Sequence, residues 1–383
     1  MKKILFLTGT RADFGKMKPL MRAVDSDPTF ECTVFVTGMH MLKQYGLTVN
    51  EVCKAGFKKI FMYMNQVQGE RMDVVLANTI IGFSRYINEY QPDMVVVHGD
   101  RVETLAGAIV GAMNNILVAH IEGGELSGTI DGLIRHSVSK LSHLHFVSNN
   151  EAAYRLRQLG EDTDTIHVIG SPDVDIMLSE NLPSITEVKR YYEIDFDRYY
   201  IVTFHPVTTE IESIYENTCN LVNALVESGK NYVIIYPNND IGSDEILRAY
   251  KRVKNNKRFR IFPSLRFEYF LTLLKHAKCM IGNSSAVVRE APIYGIYSIN
   301  IGTRQQNRFS YKSILNVGYR KSEILDTINS IDCLPICEPC FEFGRGESAH
   351  KFIDVLKGDK IWRTNKQKQF IDVIKLKTLS SSV

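Results

Sequence analysis

No window of the chain approaches the roughly 20 consecutive apolar residues that a membrane-spanning helix requires, so no membrane partner is expected. A charge excess is missing too. Against 46 Lys and Arg stand 43 Asp and Glu, a formal charge of +3 in 383 residues, and that near-balance removes the usual electrostatic case for a nucleic-acid partner. Nor is there a disulfide framework: the seven Cys are odd in number and widely scattered, which predicts a reducing, cytoplasmic setting. Only Cys333, Cys337 and Cys340 cluster, in IDCLPICEPC, and their spacing is not the paired CxxC of a structural zinc site, so no metal is expected. The opening MKKILFL starts like a secretion signal, but Arg11, Asp13 and Lys16 interrupt it before it is long enough. The loop after it lacks both the glycine spacing of a dinucleotide fingerprint and the Lys-Thr pair of a P-loop.

What is present is a globular composition, 44% hydrophobic and 23% charged, long enough for two cores. Short apolar runs alternate with helical patterns. Residues 3–8 read as a strand, 9–15 as a turn, 16–24 as a helix and 32–36 as a second strand. This is the rhythm of a doubly wound parallel sheet covered by helices on both faces. Arg11 and Lys16 flank Gly15 where that helix is expected to start, a place where backbone N–H groups and cations can hold an anion.

The most informative stretch is residues 92–125. One apolar run (94–97) ends in His98-Gly99-Asp100-Arg101, an Ala- and Gly-rich helix follows, and a second run (116–119) ends in His120-Ile121-Glu122-Gly123-Gly124-Glu125. Ligands of open parallel sheets sit outside the carboxyl ends of the strands, so both ends point to one site. Beyond it, Asp131 and Arg135 lie four apart on an expected helix, suited either to a salt bridge or to joint presentation into a pocket.

The alternation continues to residue 169, and Ser171-Pro172 marks a boundary. It restarts at residue 200, with His205-Pro206 as the first strand exit, then Pro237-Asn238-Asn239-Asp240, and Gly282-Asn283-Ser284-Ser285 before a helix expected over 287–294. Serine hydroxyls before a helix make a phosphate nest, and Glu290 lies inside that helix at a depth suited to sugar hydroxyls. Residues 351–377 read as a basic amphipathic tail. The organisation expected is an N-terminal domain over 1–172, a second over 173–355, and a tail over 356–383 packing back on the first.

Two such domains facing across a cleft resemble the glycosyltransferase-B architecture. More narrowly, GTRADFGK at 9–16, VTGMHM at 36–41, HGDRVE at 98–103, HIEGGELSGTIDGLIRHSVSKLSH at 120–143, TFHPVT at 203–208, GNSSAVVRE at 282–290 and NIGTRQ at 300–305 resemble the hydrolysing UDP-N-acetylglucosamine 2-epimerases of sialic acid synthesis. The GTRPE and EAGLRT forms typical of the non-hydrolysing branch are replaced here.

That resemblance implies conversion of UDP-N-acetylglucosamine and water to N-acetylmannosamine and UDP, by anti elimination to 2-acetamidoglucal and then hydration. It makes Asp100, Glu122 and Asp131 the catalytic carboxylates, provisionally the base toward C2, the group acting at C1, and a further proton donor. Their crowding should raise at least one pKa. His205 would meet the departing diphosphate as an imidazolium. Arg11, Arg101, Ser284, Ser285 and Arg304, with Lys16, would hold diphosphate or nucleotide, Glu290 the ribose, and Asn238 and Phe267 the uridine side. His98, His120, His136, His143 and His145 are left as supporting or core residues, and Arg266 as either a ligand or an ion-pair partner. No cofactor is implied, and a homodimer or homotetramer is. The same reaction on a GDP-linked N-acetylglucosamine or a UDP-linked diacetamido trideoxy sugar, or a glycosyltransferase, remains open at this point.

Overall fold

Strand β1 (Lys2–Thr8) is stopped by Gly9, and Thr10 immediately caps helix α1 (Arg11–Asp25): its hydroxyl accepts from the Asp13 N–H while the Asp13 carboxylate reaches back to the Thr10 N–H, a full capping box. The helix therefore starts at Arg11 rather than at Lys16, and Gly15 lies in its interior instead of in a turn. The computed structural model describes residues 1–127, 130–238 and 240–373. Gly128, Thr129 and Asn239 of the segments quoted above, and the expected tail beyond residue 373, lie outside the described residues.

From α1 the chain runs through β2 (Phe30–Val36), α2 (Val49–Lys54), β3 (Lys59–Met62), α3 (Met72–Tyr90), β4 (Met94–His98), α4 (Val102–Met113), β5 (Leu117–Ile121), α5 (Ile130–Leu141), β6 (Leu144–Val147), α6 (Asn150–Gln158), β7 (Ile166–Val168) and α7 (Pro172–Met177). Its seven strands form a parallel sheet in the order β3-β2-β1-β4-β5-β6-β7. Every residue of β4 and β5 is buried, as expected for strands covered on both faces. β3, by contrast, is an edge strand with mostly exposed side chains, and for that reason its apolar pattern is faint.

The second unit comprises α8 (Ile185–Tyr191), β8 (Tyr200–Thr203), α9 (Ile214–Ser228), β9 (Tyr232–Ile235), α10 (Ser243–Tyr250), β10 (Phe259–Phe262), α11 (Phe267–Lys275), β11 (Cys279–Gly282), α12 (Glu290–Ile293), β12 (Tyr297–Ile301), β13 (Ile314–Val317) and α13 (Lys321–Ser330). Its six parallel strands are ordered β10-β9-β8-β11-β12-β13. The structure is thus two Rossmann-like α/β domains. In each sheet the strand order reverses once, between β1 and β4 and between β8 and β11, which are the crevices where such sheets hold ligands.

The helix expected over 287–294 is much shorter. A 3₁₀ turn (Ser285–Val287) precedes the four-residue α12, because Pro292 cannot extend an N–H ladder. Glu290 stands at the start of α12 instead of a turn or more inside it, and the dipole of so short a helix adds little to a phosphate nest.

The chain returns to the first domain through α14 (Ser348–Lys357) and α15 (Asp359–Trp362). Phe352 and Leu356 of α14 both join the core that contains Phe6 and Phe146, so this helix straddles the expected division at 355/356 and packs on the first sheet as a whole. Gly358 separates α14 from α15, and residues 363–370 are not helical, so a continuous tail helix is not formed. The two crossings between domains touch: Ser171 donates its N–H to the Phe343 carbonyl at 2.7 Å, and a Cβ on Gly344 would stand 3.1 Å from the Gly170 Cα. Among the described residues no helix is long and apolar enough to cross a membrane.

Candidate active site

The carboxyl ends of both sheets face one cleft of about 320 Å³. Its lining includes all thirteen residues singled out from the sequence, from Arg11 and Lys16 on α1 to Arg304 after β12. The short strand-exit loops bring them together. Within the first, the Asp13 carboxylate accepts from the Thr8 hydroxyl (2.8 Å) and the Gly9 N–H (3.0 Å), and so holds the start of α1 against β1.

The three acids have different surroundings. Asp100 pairs with Arg135, which comes from the α5 face shared with Asp131 and also donates to the Glu122 carbonyl at 2.5 Å. Burial alone would raise the Asp100 carboxyl, but Arg135, Arg308, Arg304 and Arg101 outweigh it and hold the group at about 2. Glu122 sits on a left-handed backbone, φ 62°, an unfavourable conformation for a non-glycine residue. Its carboxylate meets Arg289 at 2.7 Å, His98 Nε2 at 3.2 Å and the Ser171 hydroxyl. Burial opposes ionisation there as well, yet Arg289, His98 and Lys16 keep it well below the ordinary range.

Asp131 goes the other way. Burial dominates, Arg304 only partly offsets it, and Asp100 adds repulsion, so its pKa is raised. Arg304 reaches it from the opposite domain at 2.9 Å. The crowded trio therefore contains two firmly ionised carboxylates and one that takes up a proton more easily.

His205 emerges after β8, and Asn283 clamps its backbone on both sides, accepting from its N–H at 2.7 Å and donating to its carbonyl at 2.9 Å. The Asn238 N–H donates to His205 Nδ1 at 3.0 Å, so the neutral ring carries its proton on Nε2. Burial, with Arg304 and Arg101 nearby, pushes its pKa well below the ordinary value. The imidazolium anticipated from sequence is thus replaced by a neutral N–H donor.

Lys16 also departs from expectation. Its ammonium is buried between Asp173 (3.0 Å) and Glu290 (2.8 Å), so it neutralises protein carboxylates before it meets any ligand. Glu290 keeps Oε2 buried without a protein partner among the described residues. Arg11 bonds Ser264 at 2.7 Å across the cleft and Glu51 at 2.5 Å. Arg101 lies 3.5 Å from Asp240 of the other domain. The Ser284 hydroxyl accepts from the Ala286 N–H at 3.4 Å, and Ser285 opens the 3₁₀ turn beside it. Phe267 packs its ring at the Gly15 position, where an added Cβ would stand 2.6 Å away. Arg266 lies outside the cleft, with Nε 3.5 Å from Glu51 and its guanidinium over Tyr191.

Sequence reasoning missed Arg289 and Arg308. Arg289 is 1% exposed and ties Glu122 and Glu125 of the first domain to the second, while Arg308 reaches Glu125 at 3.4 Å. An arginine within the apolar AVVRE run is the one signal that was available, since a buried guanidinium demands acids. His120 is a core residue, bonded to Ser139 and to the Gly99 carbonyl at 2.8 Å, and it thereby shapes the loop that carries Asp100. His145 pairs with Glu161 at 3.0 Å, and His143 accepts from the Val118 N–H.

The model of the family described as UDP-N-acetylglucosamine 2-epimerase matches residues 22–357. A Neisseria meningitidis serogroup B protein named UDP-N-acetylglucosamine 2-epimerase is 50% identical, covering 97% of this chain and 100% of its own length. A Legionella pneumophila protein named UDP-N,N'-diacetylbacillosamine 2-epimerase (hydrolyzing) is 30% identical, covering 93% and 96%. Among solved structures, UDP-GlcNAc 2-epimerase from Neisseria meningitidis bound to UDP-GlcNAc superposes with a TM-score of 0.78 at 19% identity, covering 92% of this chain and 99% of its own. At that identity the match shows the fold, two Rossmann-like domains of the glycosyltransferase-B type.

Proposed function

The chain belongs to the UDP-N-acetylglucosamine 2-epimerase family, and from that premise we propose that it hydrolyses and epimerises UDP-N-acetylglucosamine, giving N-acetylmannosamine and UDP. The observation that carries the mechanism is the split within the acid trio: Asp100 and Glu122 held ionised, Asp131 raised. Inversion at C2 requires a proton to leave one face and another to arrive at the opposite face. An ionised carboxylate able to take one proton, beside a carboxyl whose pKa is raised and that accepts and returns a proton more readily, suits that pair.

In the elimination, the C1–O bond breaks with its electrons leaving on the diphosphate, while Asp100 takes the C2 proton and the C2–H electrons become the double bond. Glu122, a fixed negative charge, stabilises positive character developing at C1. The C2 hydrogen is weakly acidic, so stabilisation of the leaving group sets much of the rate. Arg11, Arg101 and Arg304, the Ser284 and Ser285 hydroxyls and the Nε2–H of His205 are the donors for that diphosphate. Glu290 offers its unpartnered oxygen to the ribose, and Asn238 and Phe267 border the uridine. In the hydration, Asp131 delivers a proton to C2, water forms the C1–O bond, and the water's proton passes to a carboxylate.

The 50% identical relative favours the N-acetylglucosamine donor over the diacetamido sugar of the more distant one. We also propose a homodimer or homotetramer in the cytoplasm, to be measured by light scattering on the purified protein. The central experiment is NMR of the reaction in heavy water. Free UDP and N-acetylmannosamine carrying deuterium at C2 are expected without any acceptor, and failure to release UDP from UDP-N-acetylglucosamine would sink the proposal. A donor panel including GDP-linked and diacetamido sugars ranks the alternatives.

A further inference from the structure

Beside the cleft lies a second, much smaller cavity of about 20 Å³. Asp100, Arg101 and Asp131 line both spaces, so these three residues form the partition between them. The other polar walls of the small chamber come from Gln66, Glu70, Glu103 and Asp240. A space of this size admits about one water molecule, and several polar neighbours are what retain a water in such a site.

Glu103 has no part in the chemistry described so far. It stands in the first turn of α4 and is 2% exposed. Its Oε1 accepts from Gln66 Nε2 at 3.4 Å, and its Oε2 is buried with no protein partner among the described residues. The side chain has little freedom to move: a Cβ added to Gly9 would stand 3.3 Å from Oε2, and one on Gly38 would stand 2.8 Å from Oε1. Burying a carboxyl oxygen in this way is costly unless something satisfies it.

The mechanism leaves a proton to be moved. Asp100 ends the elimination protonated, and Asp131 must be protonated to add hydrogen at C2. Both border the chamber. Resting on the function proposed above, we infer that the chamber holds one water, anchored by Glu103, that carries the proton from Asp100 to Asp131 between elimination and hydration. The Asp100 O–H bond breaks as the water accepts its proton, and another proton leaves that water to form the Asp131 O–H, so charge and atoms balance without a further reagent. The transfer runs downhill, from the carboxyl held at about 2 to the one whose pKa is raised. Glu103 touches neither substrate nor reacting carbon and is a positioning residue.

The test separates the two half-reactions. In Glu103→Leu, which removes the anchor, and Val75→Phe, which fills the chamber from its wall, hydration should stall after elimination. Turnover to N-acetylmannosamine should fall tenfold or more, KM should stay within threefold, and 2-acetamidoglucal should appear with the UDP. Glu103→Gln, which still hydrogen-bonds a water, should recover most of the loss. A purely structural role for Glu103 slows both steps alike, keeps UDP and N-acetylmannosamine equal and yields no glycal, and that outcome overturns the inference. Where Glu103→Leu does not fold, Val75→Phe decides: it leaves Glu103 in place, and equal UDP and N-acetylmannosamine with no glycal from it overturns the relay. Wild-type protein that makes neither product removes the proposed function itself, a different result from loss of the relay alone.

Discussion

Arg304 Nη2 lies 2.9 Å from Asp131 Oδ2, so the cation proposed for the diphosphate and the acid proposed for the sugar hold each other from opposite domains. Diphosphate bound as proposed would compete for Arg304, and Asp131 would then lose the charge that most opposes its protonation. Donor binding would therefore switch Asp131 toward its acid form.

Replacing Arg304 by Met should raise KM for the nucleotide sugar about tenfold, equivalent to about 1.4 kcal/mol. It should also move the alkaline limb of the kcat/KM profile, which reports the free enzyme. Arg304 lowers the Asp131 pKa, so its removal raises that pKa, and the protonated acid persists to higher pH. A pH–rate series on the variant checks this, and an unmoved limb would count against Asp131 as the titrating acid.

His205 should contribute no titration between about pH 5 and about pH 8, where an ordinary histidine changes charge. Its role as a neutral Nε2–H donor predicts that His205→Asn retains more activity than His205→Phe. The Phe variant should lose about 10²–10³-fold in kcat, the usual effect of deleting one donor to developing negative charge. Comparing the two variants at several pH values tests both statements.

Glu122→Gln should suppress turnover far more than UDP affinity. It should also destabilise the fold at neutral pH by about 3 kcal/mol, the scale of a broken buried ion pair. The pH dependence has a definite sign. The folded pKa of Glu122 lies below its unfolded value of about 4.3, so its stabilisation is present above that value and lost as pH falls toward the folded one. Urea midpoints measured between about pH 6 and about pH 3 should therefore drop for wild type and vary less for the variant. Parallel curves would show that Glu122 carries no such linkage.

Gly15→Ala is expected to reverse a familiar sign. In an exposed helix interior the change usually stabilises by about 1 kcal/mol. Here the new methyl would stand 2.6 Å from Phe267, across the contact between α1 and α11, so the melting temperature should fall. Phe267→Gly in the same chain, which removes the Cβ as well as the ring, should restore part of the loss, and purely additive effects would show that the two residues are not in conflict.

The alternation of strands and the residues at their ends were readable because a short exit loop leaves little choice about where its side chains emerge. Asp100, Glu122 and His205 follow their strands by only a few residues, and the cleft is where strand exits converge. The capping box of Thr10 and Asp13 was equally available in the sequence, but Gly15 read as a turn signal because its true neighbour, Phe267, belongs to the other domain. Lys16 looked like a ligand for the same reason: Asp173 and Glu290, which neutralise it, come from distant segments. The charge state of His205 depends on burial, which no local pattern reports. β3 and β13 are edge strands with partly exposed faces, so their periodicity carries little information.

The touching crossings at Gly170 and Gly344 give the molecule something like a door with both leaves of its hinge on a single pin. Two separated tethers would resist rotation, whereas two adjacent ones leave one easy swing and oppose sliding or twisting. Residues beside a pin travel least. Glu122, bonded to Ser171 immediately after Gly170, would keep its place while the proposed donors of the second domain, Arg304, Ser284, Ser285 and His205, swing in. Closing on the donor would then bring the leaving-group contacts to a carboxylate already in position, so the order of assembly would be set by leverage rather than by affinity.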